Sequence, residues 1–179
     1  HQLRGEVAYA DLSFEPSPTV PTDVADQLGL FSKLVTKPCL MEFFSSQPTK
    51  NEIRSCVAKL FVYHGELLRK ARRQQKRDPL ANKRVAESAL PHLWILTATA
   101  SDAFLKSWRT QERRREWGEG IYFLGGPAQK TALVVLNRLP KTADTLWLRL
   151  LGRGETQKQA VAELNQQPAG PIRDYLLEL

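Results

Sequence analysis

The sequence is short of the residues that make several functions easy to recognise. It holds two cysteines, three histidines and one methionine in 179 residues. Cys39 and Cys56 stand in apolar surroundings without metal-ligand spacing. That argues against a zinc site or a disulfide framework, and for reduced core residues in a cytoplasmic protein. His64 and His92 each stand alone on an apolar face, a setting that suits packing and hydrogen bonding better than catalysis. No apolar run approaches the roughly 18 residues that cross a bilayer, and no signal-peptide pattern opens the chain. There is no nucleophilic triad, P-loop or dinucleotide fingerprint, and Gly152-Arg153-Gly154 is too short for a phosphate loop. Internal repeats and low-complexity tracts are also lacking.

What is present in excess is positive charge. Lys and Arg number 26 against 19 Asp and Glu, a net charge of +7 and a pI near 9.6. Such a balance favours a polyanionic partner, DNA first and an acidic protein or membrane surface after it. The cations are concentrated. Arg69, Lys70, Arg72, Arg73, Lys76 and Arg77 close one long amphipathic segment, and Arg113, Arg114 and Arg115 form a second cluster. One or two cations would complement a helix dipole; six exceed that need and point to nucleic-acid binding.

Hydrophobic periodicity divides the chain into elements. Gly5–Phe14 alternates as a strand with Asp11 in its second half, and a proline-rich loop follows. A helix is expected from Thr22 or Asp23 to about Val35, ended by Lys37-Pro38. Pro38–Phe44 reads as a short buried strand. Thr49 and Glu52 form a capping-box pattern, after which Ile53, Val57, Leu60, Phe61, Leu67, Leu68 and Ala71 recur at helical spacing. His92–Thr97 suits a strand covered on both faces. Ser101-Asp102 caps a helix to about Trp108, and Ile121–Leu124 and Ala132–Leu136 read as strands. Past Pro140 come two helices, the second burying Ala160, Val161 and Leu164, and a last turn from Ile172 to Leu179. Trp94 and Trp147 are expected in the core, with Trp108 and Trp117 beside the arginine cluster. The order predicts an α/β fold, a mixed central sheet flanked by helices over residues 1–140, with a C-terminal helical extension over 141–179 packed on it.

Two acids interrupt otherwise apolar strands, Asp11 and Glu42. A carboxylate in such a place costs free energy unless it is paired or binds a metal. Mg²⁺ takes one or two carboxylates and keeps several waters, so Asp11 and Glu42 on neighbouring strands are candidate ligands. The alternative is that each is satisfied by a backbone amide or a cation, Arg54 and Lys59 being available to Glu42 on the next helix.

Strand-Asp, strand-Glu, long helix, strand resembles the PD-(D/E)XK nuclease core. The chain looks like the cyanobacterial branch of the recombination-promoting nuclease (transposase-like) family. Glu6–Phe14, Leu40–Lys59, His92–Thr97, Trp117–Phe123 and Leu139–Gly154 carry the likeness, the last most specifically. The resemblance implies a restriction-endonuclease-like core and Mg²⁺-dependent DNA cleavage, with Asp11 and Glu42 as metal ligands and catalytic acids. Phe44 stands where that family has its lysine, so Lys59, or Arg54, would have to supply it from the helix. A further acid-bearing helix would lie upstream of His1 or be absent. The alternative reading is a degenerate nuclease fold acting as a non-enzymatic subunit or adaptor, with a protein partner, a nucleic acid or a second copy of itself.

Overall fold

The computed structural model of the chain describes residues 10–16, 22–77 and 85–166. Its centre is a six-stranded mixed sheet in the order β1-β2-β3-β6-β5-β4. The strands are β1 (Leu12–Phe14), β2 (Cys39–Phe44), β3 (His92–Thr97), β4 (Gln111–Glu112), β5 (Ile121–Leu124) and β6 (Thr131–Val135). β2, β3 and β6 run parallel, and β1, β5 and β4 are antiparallel to their neighbours. The α/β class expected from the residue pattern is the class observed.

Alternation along β2 assigns the two faces. Cys39 and Met41 point to one layer with Leu30, Leu34, Trp94, Leu96 and Leu148. Leu40 points to the other, with Ile53, Cys56, Leu60, Leu93 and Ile95. The first layer is covered by α2 (Leu30–Leu34), which follows α1 (Thr22–Leu28), and by α6 (Leu146–Leu150), the second by α3 (Lys50–Arg77) and α4 (Asp102–Ser107). α5 (Arg114–Trp117) and α7 (Glu155–Gln166) complete the helices.

Several boundaries depart from the periodic reading, each for a physical reason. The single helix expected over 22–35 is two, because Gly29 adopts φ 51°. A Cβ at Gly29 would stand 2.4 Å from the Asp144 carbonyl oxygen, so the approach of the later chain and the left-handed backbone both require glycine. Asp11 lies just ahead of β1 rather than inside it. The rest of the expected first strand, the remainder of the proline loop, the link around 78–84 and the expected last turn lie outside the described residues. β4 was not expected. Its two polar residues have strand geometry only because they pair with Tyr122 and Phe123 at the sheet edge. Phe61 and Val161 are exposed rather than buried, since α3 turns Ile53, Cys56, Leu60 and His64 to the sheet and α7 turns Ala160 and Leu164 inward.

A buried charge ties α7 to α6. Arg149 is 2% exposed. Its guanidinium grips Glu163 of α7 at 2.8 and 2.5 Å, and it also donates to Thr145 Oγ1 at 3.1 Å and the Thr142 carbonyl at 2.9 Å. A buried guanidinium is tolerable only with its donors satisfied in this way. Hydrogen bonds from Arg149 hold the Glu163 carboxyl below the usual carboxylate range, against the opposing effect of burial.

Candidate functional site

The capping box forms as the sequence spacing requires. Glu52 accepts from the Thr49 amide at 2.6 Å and Thr49 Oγ1 from the Glu52 amide at 3.2 Å, fixing where α3 starts behind β2. From that start, five residues along the helix rotate a side chain by about 140°. Arg54 and Lys59, the two cations available to Glu42, therefore leave the helix on opposite flanks. Lys59 leans back over β2 and places Nζ 2.9 and 3.1 Å from the two oxygens of Glu42. Arg54 turns away, bonding Asn51 Oδ1 at 2.7 Å and lying 5.9 Å above the Trp108 ring.

Glu42 is 4% exposed, so it is a buried carboxylate neutralised by one ammonium. Burial would pull the Lys59 pKa down, but the hydrogen bond and charge of Glu42 outweigh it and hold Lys59 above its ordinary value. The neighbouring Cys56 thiol is pushed up to about 12, chiefly by burial and then by the Glu42 charge. Such a thiol is an inert core group at neutral pH.

Asp11 belongs to the same corner. Leu12 faces Met41 across the antiparallel ladder, so the register carried one residue further sets Asp11 opposite Glu42. Here β1 has ended, and Asp11 Oδ2 takes the Phe43 amide at 2.9 Å in place of a backbone carbonyl. The Phe43 amide is a member of this corner that no side-chain pattern announces. The three residues expected to carry chemistry, Asp11, Glu42 and Lys59, thus come to one corner from the residue ahead of β1, from β2 and from α3.

At this corner both oxygens of Glu42 face an ammonium and one oxygen of Asp11 holds a backbone amide. Among the described residues no three of His, Cys, Asp and Glu converge, and a Mg²⁺ held by the one or two carboxylates it usually takes would share Glu42 with Lys59. Comparison of the chain with protein-family models, with curated proteins and with solved structures finds no match.

The basic half of α3 has a different character. The buried residues of this helix end at His64, whose Nε2 lies 2.9 Å from the Pro91 carbonyl. None of residues 65–77 is buried, and at 1.5 Å per residue they extend the helix by about 20 Å. Arg69, Lys70, Arg73 and Arg77 line one groove with Glu66 and Gln74, while Arg72 and Lys76, four residues apart, form a second ridge. None of these six cations meets a carboxylate within ion-pair distance among the described residues.

The second arginine cluster is more occupied. Arg114 is bound to Glu112 at 2.6 Å and Glu119 at 3.0 Å, and Arg113 lies 4.4 Å over the Phe123 ring. Arg115 is exposed, with no ion pair among the described residues. The tryptophans are structural. Trp94 donates to the Leu34 carbonyl at 2.9 Å, Trp147 to that of Gln27, and Trp117 packs 5.0 Å from Trp94 under the Lys33 ammonium. His92 stacks on Trp94, and burial followed by the charge of Lys130 lowers its pKa to about 4, so it is neutral at physiological pH.

Proposed function

We propose that the chain is a DNA-binding protein on a PD-(D/E)XK-like fold, in which Asp11, Glu42 and Lys59 hold the sheet corner together instead of cleaving a phosphodiester. The observation that carries the binding half is the row of six cations on the exposed half of α3, none of them in an ion pair among the described residues. Helix formation does not account for that row: its six side chains are exposed, and a helix end needs one or two cations at most. A duplex carries a phosphate charge about every 1.7 Å of axis, so a 20 Å basic segment meets enough phosphates to release counterions. The expected result is sequence-independent binding whose logarithmic salt slope is about −5 if all six cations meet phosphates, at roughly 0.9 per contact. A slope near zero, from titrations of labelled duplex between low and physiological salt, would remove the reading.

The non-catalytic half rests on the bidentate hold of Lys59 on a buried Glu42. Supercoiled plasmid incubated with the chain and Mg²⁺ or Mn²⁺ is expected to remain intact. Nicking that disappears in Glu42→Gln would instead make Asp11 and Glu42 metal ligands and Lys59 the catalytic lysine. The two buried cysteines, both free, support a reducing compartment such as the cytoplasm. No described helix is long and apolar enough to cross a membrane.

A further inference from the structure

The exposed half of α3 has a glycine at its root. Gly65 follows His64, the residue at which the buried side of the helix ends. Among the described residues nothing requires glycine there. A Cβ at Gly65 would meet the far end of the Arg69 side chain, Nη1 at 3.2 Å, a group free to move aside. The backbone at Gly65 is ordinary helix rather than left-handed. What a glycine contributes inside a helix is conformational freedom, and it weakens the helix relative to alanine.

Beyond that point packing gives out. Leu67 and Ala71 continue the helical spacing of Leu60 and His64, yet Leu60 and His64 are buried and they are only half-buried. Every other side chain from 66 to 77 is exposed. The charges oppose the helix. Arg69 and Arg73, Arg72 and Lys76, and Arg73 and Arg77 stand four apart, and Arg69 and Arg72, Lys70 and Arg73, and Arg73 and Lys76 stand three apart. Like charges at such spacings are neighbours on a helix and destabilise it. Glu66 is the one acid in the stretch, spaced to face Arg69 and Lys70. In favour stand good helix formers and a helix already nucleated at its capped start. The two sides nearly cancel, so helix over residues 66–77 is marginal in the free chain.

We infer that Gly65 is a hinge and that duplex DNA completes α3 by firming the helix beyond it. Phosphates neutralise the cations whose repulsion works against the helix, so binding and helix formation favour each other. The helical form is the one that aligns Arg69, Arg73 and Arg77 along a single groove. The affinity of the free chain is therefore its intrinsic affinity scaled down by the fraction already helical. The freedom has a use, since a segment that orders as it binds can adjust to the phosphates of any sequence. The inference rests on the DNA-binding reading for its ligand, but it assigns a role to an uncharged residue that touches no phosphate.

The test uses the full chain and a labelled blunt duplex of about twenty base pairs, read by fluorescence anisotropy. Gly65→Ala and Ala71→Gly alter helix propensity in opposite directions and leave every charge in place. Gly65→Ala is expected to tighten duplex binding by up to about fivefold and Ala71→Gly to loosen it by up to about fivefold, the change in helix equilibrium that a propensity difference of about 1 kcal/mol produces. Neither should alter the salt slope, because the same phosphates are contacted. Hydrogen exchange read by mass spectrometry gives a second measure. In the free chain the amides beyond Gly65 are expected to exchange at least about tenfold faster than those of residues 53–64, and duplex to slow them at least about tenfold. Equal protection in the free chain and the complex overturns the hinge, and so does a Gly65→Ala variant that binds no tighter; either leaves a rigid basic helix that still binds DNA. A chain that binds no duplex at all removes the DNA-binding reading and this inference together.

Discussion

Replacing Arg69, Arg73 and Arg77 together by glutamate is expected to weaken duplex DNA binding by about 500-fold at 0.1 M salt, if each of the three meets one phosphate. The magnitude follows from counterion release: each lost contact removes about 0.9 from the salt slope, so three remove about 2.7, and at 0.1 M that is 2.7 decades of affinity. These residues are chosen because they line the same groove of α3 and contribute nothing buried. Glutamate matches arginine closely in helix propensity, and its unfavourable charge near the helix C-terminus costs only a few tenths of a kcal/mol per residue. The variant should therefore melt within a few degrees of the unmodified chain while losing DNA. Anisotropy titrations at several salt concentrations read both affinity and slope. Unaltered affinity would mean that this half of α3 is a solvated face and that any nucleic-acid contact lies elsewhere. A parallel reversal of Arg114 should do little to DNA, because that guanidinium is already engaged by Glu112 and Glu119.

How far such features could be read beforehand depended on whether they are set locally. β2, β3 and the start of α3 declare themselves through apolar runs and a capping box, and the structure has them within a residue or two. The break at Gly29 does not, because its cause is Asp144, 115 positions along the chain. β4 is invisible for a similar reason: Gln111 and Glu112 have no strand character until β5 pairs with them. Arg149 looks like an ordinary exposed cation in a short helix, and its burial depends on Glu163 arriving from α7. At the Asp11 corner, residue types named the participants but not their relations. The sequence offered Glu42 two cations; the rotation of α3 about its capped start chose Lys59 and sent Arg54 to Trp108. Phe61 was expected to be buried and is 49% exposed, because the apolar spacing continues one residue outside the stripe that meets the sheet.

Lys59→Met should be the most damaging single substitution in this corner, and its rescue separates a structural pair from a catalytic one. Removing the ammonium leaves Glu42 buried without a charge partner, a change that costs about 3–5 kcal/mol in buried pairs. The lower end applies here, since Lys59 is about a quarter exposed and water can follow its departure. If the pair serves only the fold, Glu42→Met with Lys59→Met should regain most of that loss, because apolar residues of similar volume often replace a buried ion pair at no cost. The Glu42 face of β2 already packs Leu40 and Phe44 against α3, so two methionines have an apolar setting to join. Alkaline pH supplies an independent reading. The folded-state pKa of Lys59 is raised, so its contribution is complete below the ordinary lysine value of about 10.4 and is lost as pH climbs through the folded value. Denaturant midpoints measured from neutral pH upward should therefore show an alkaline loss in the unmodified chain that the double methionine variant lacks. A double variant that stays as unstable as Lys59→Met would mean that Glu42 and Lys59 are held in place by more than each other.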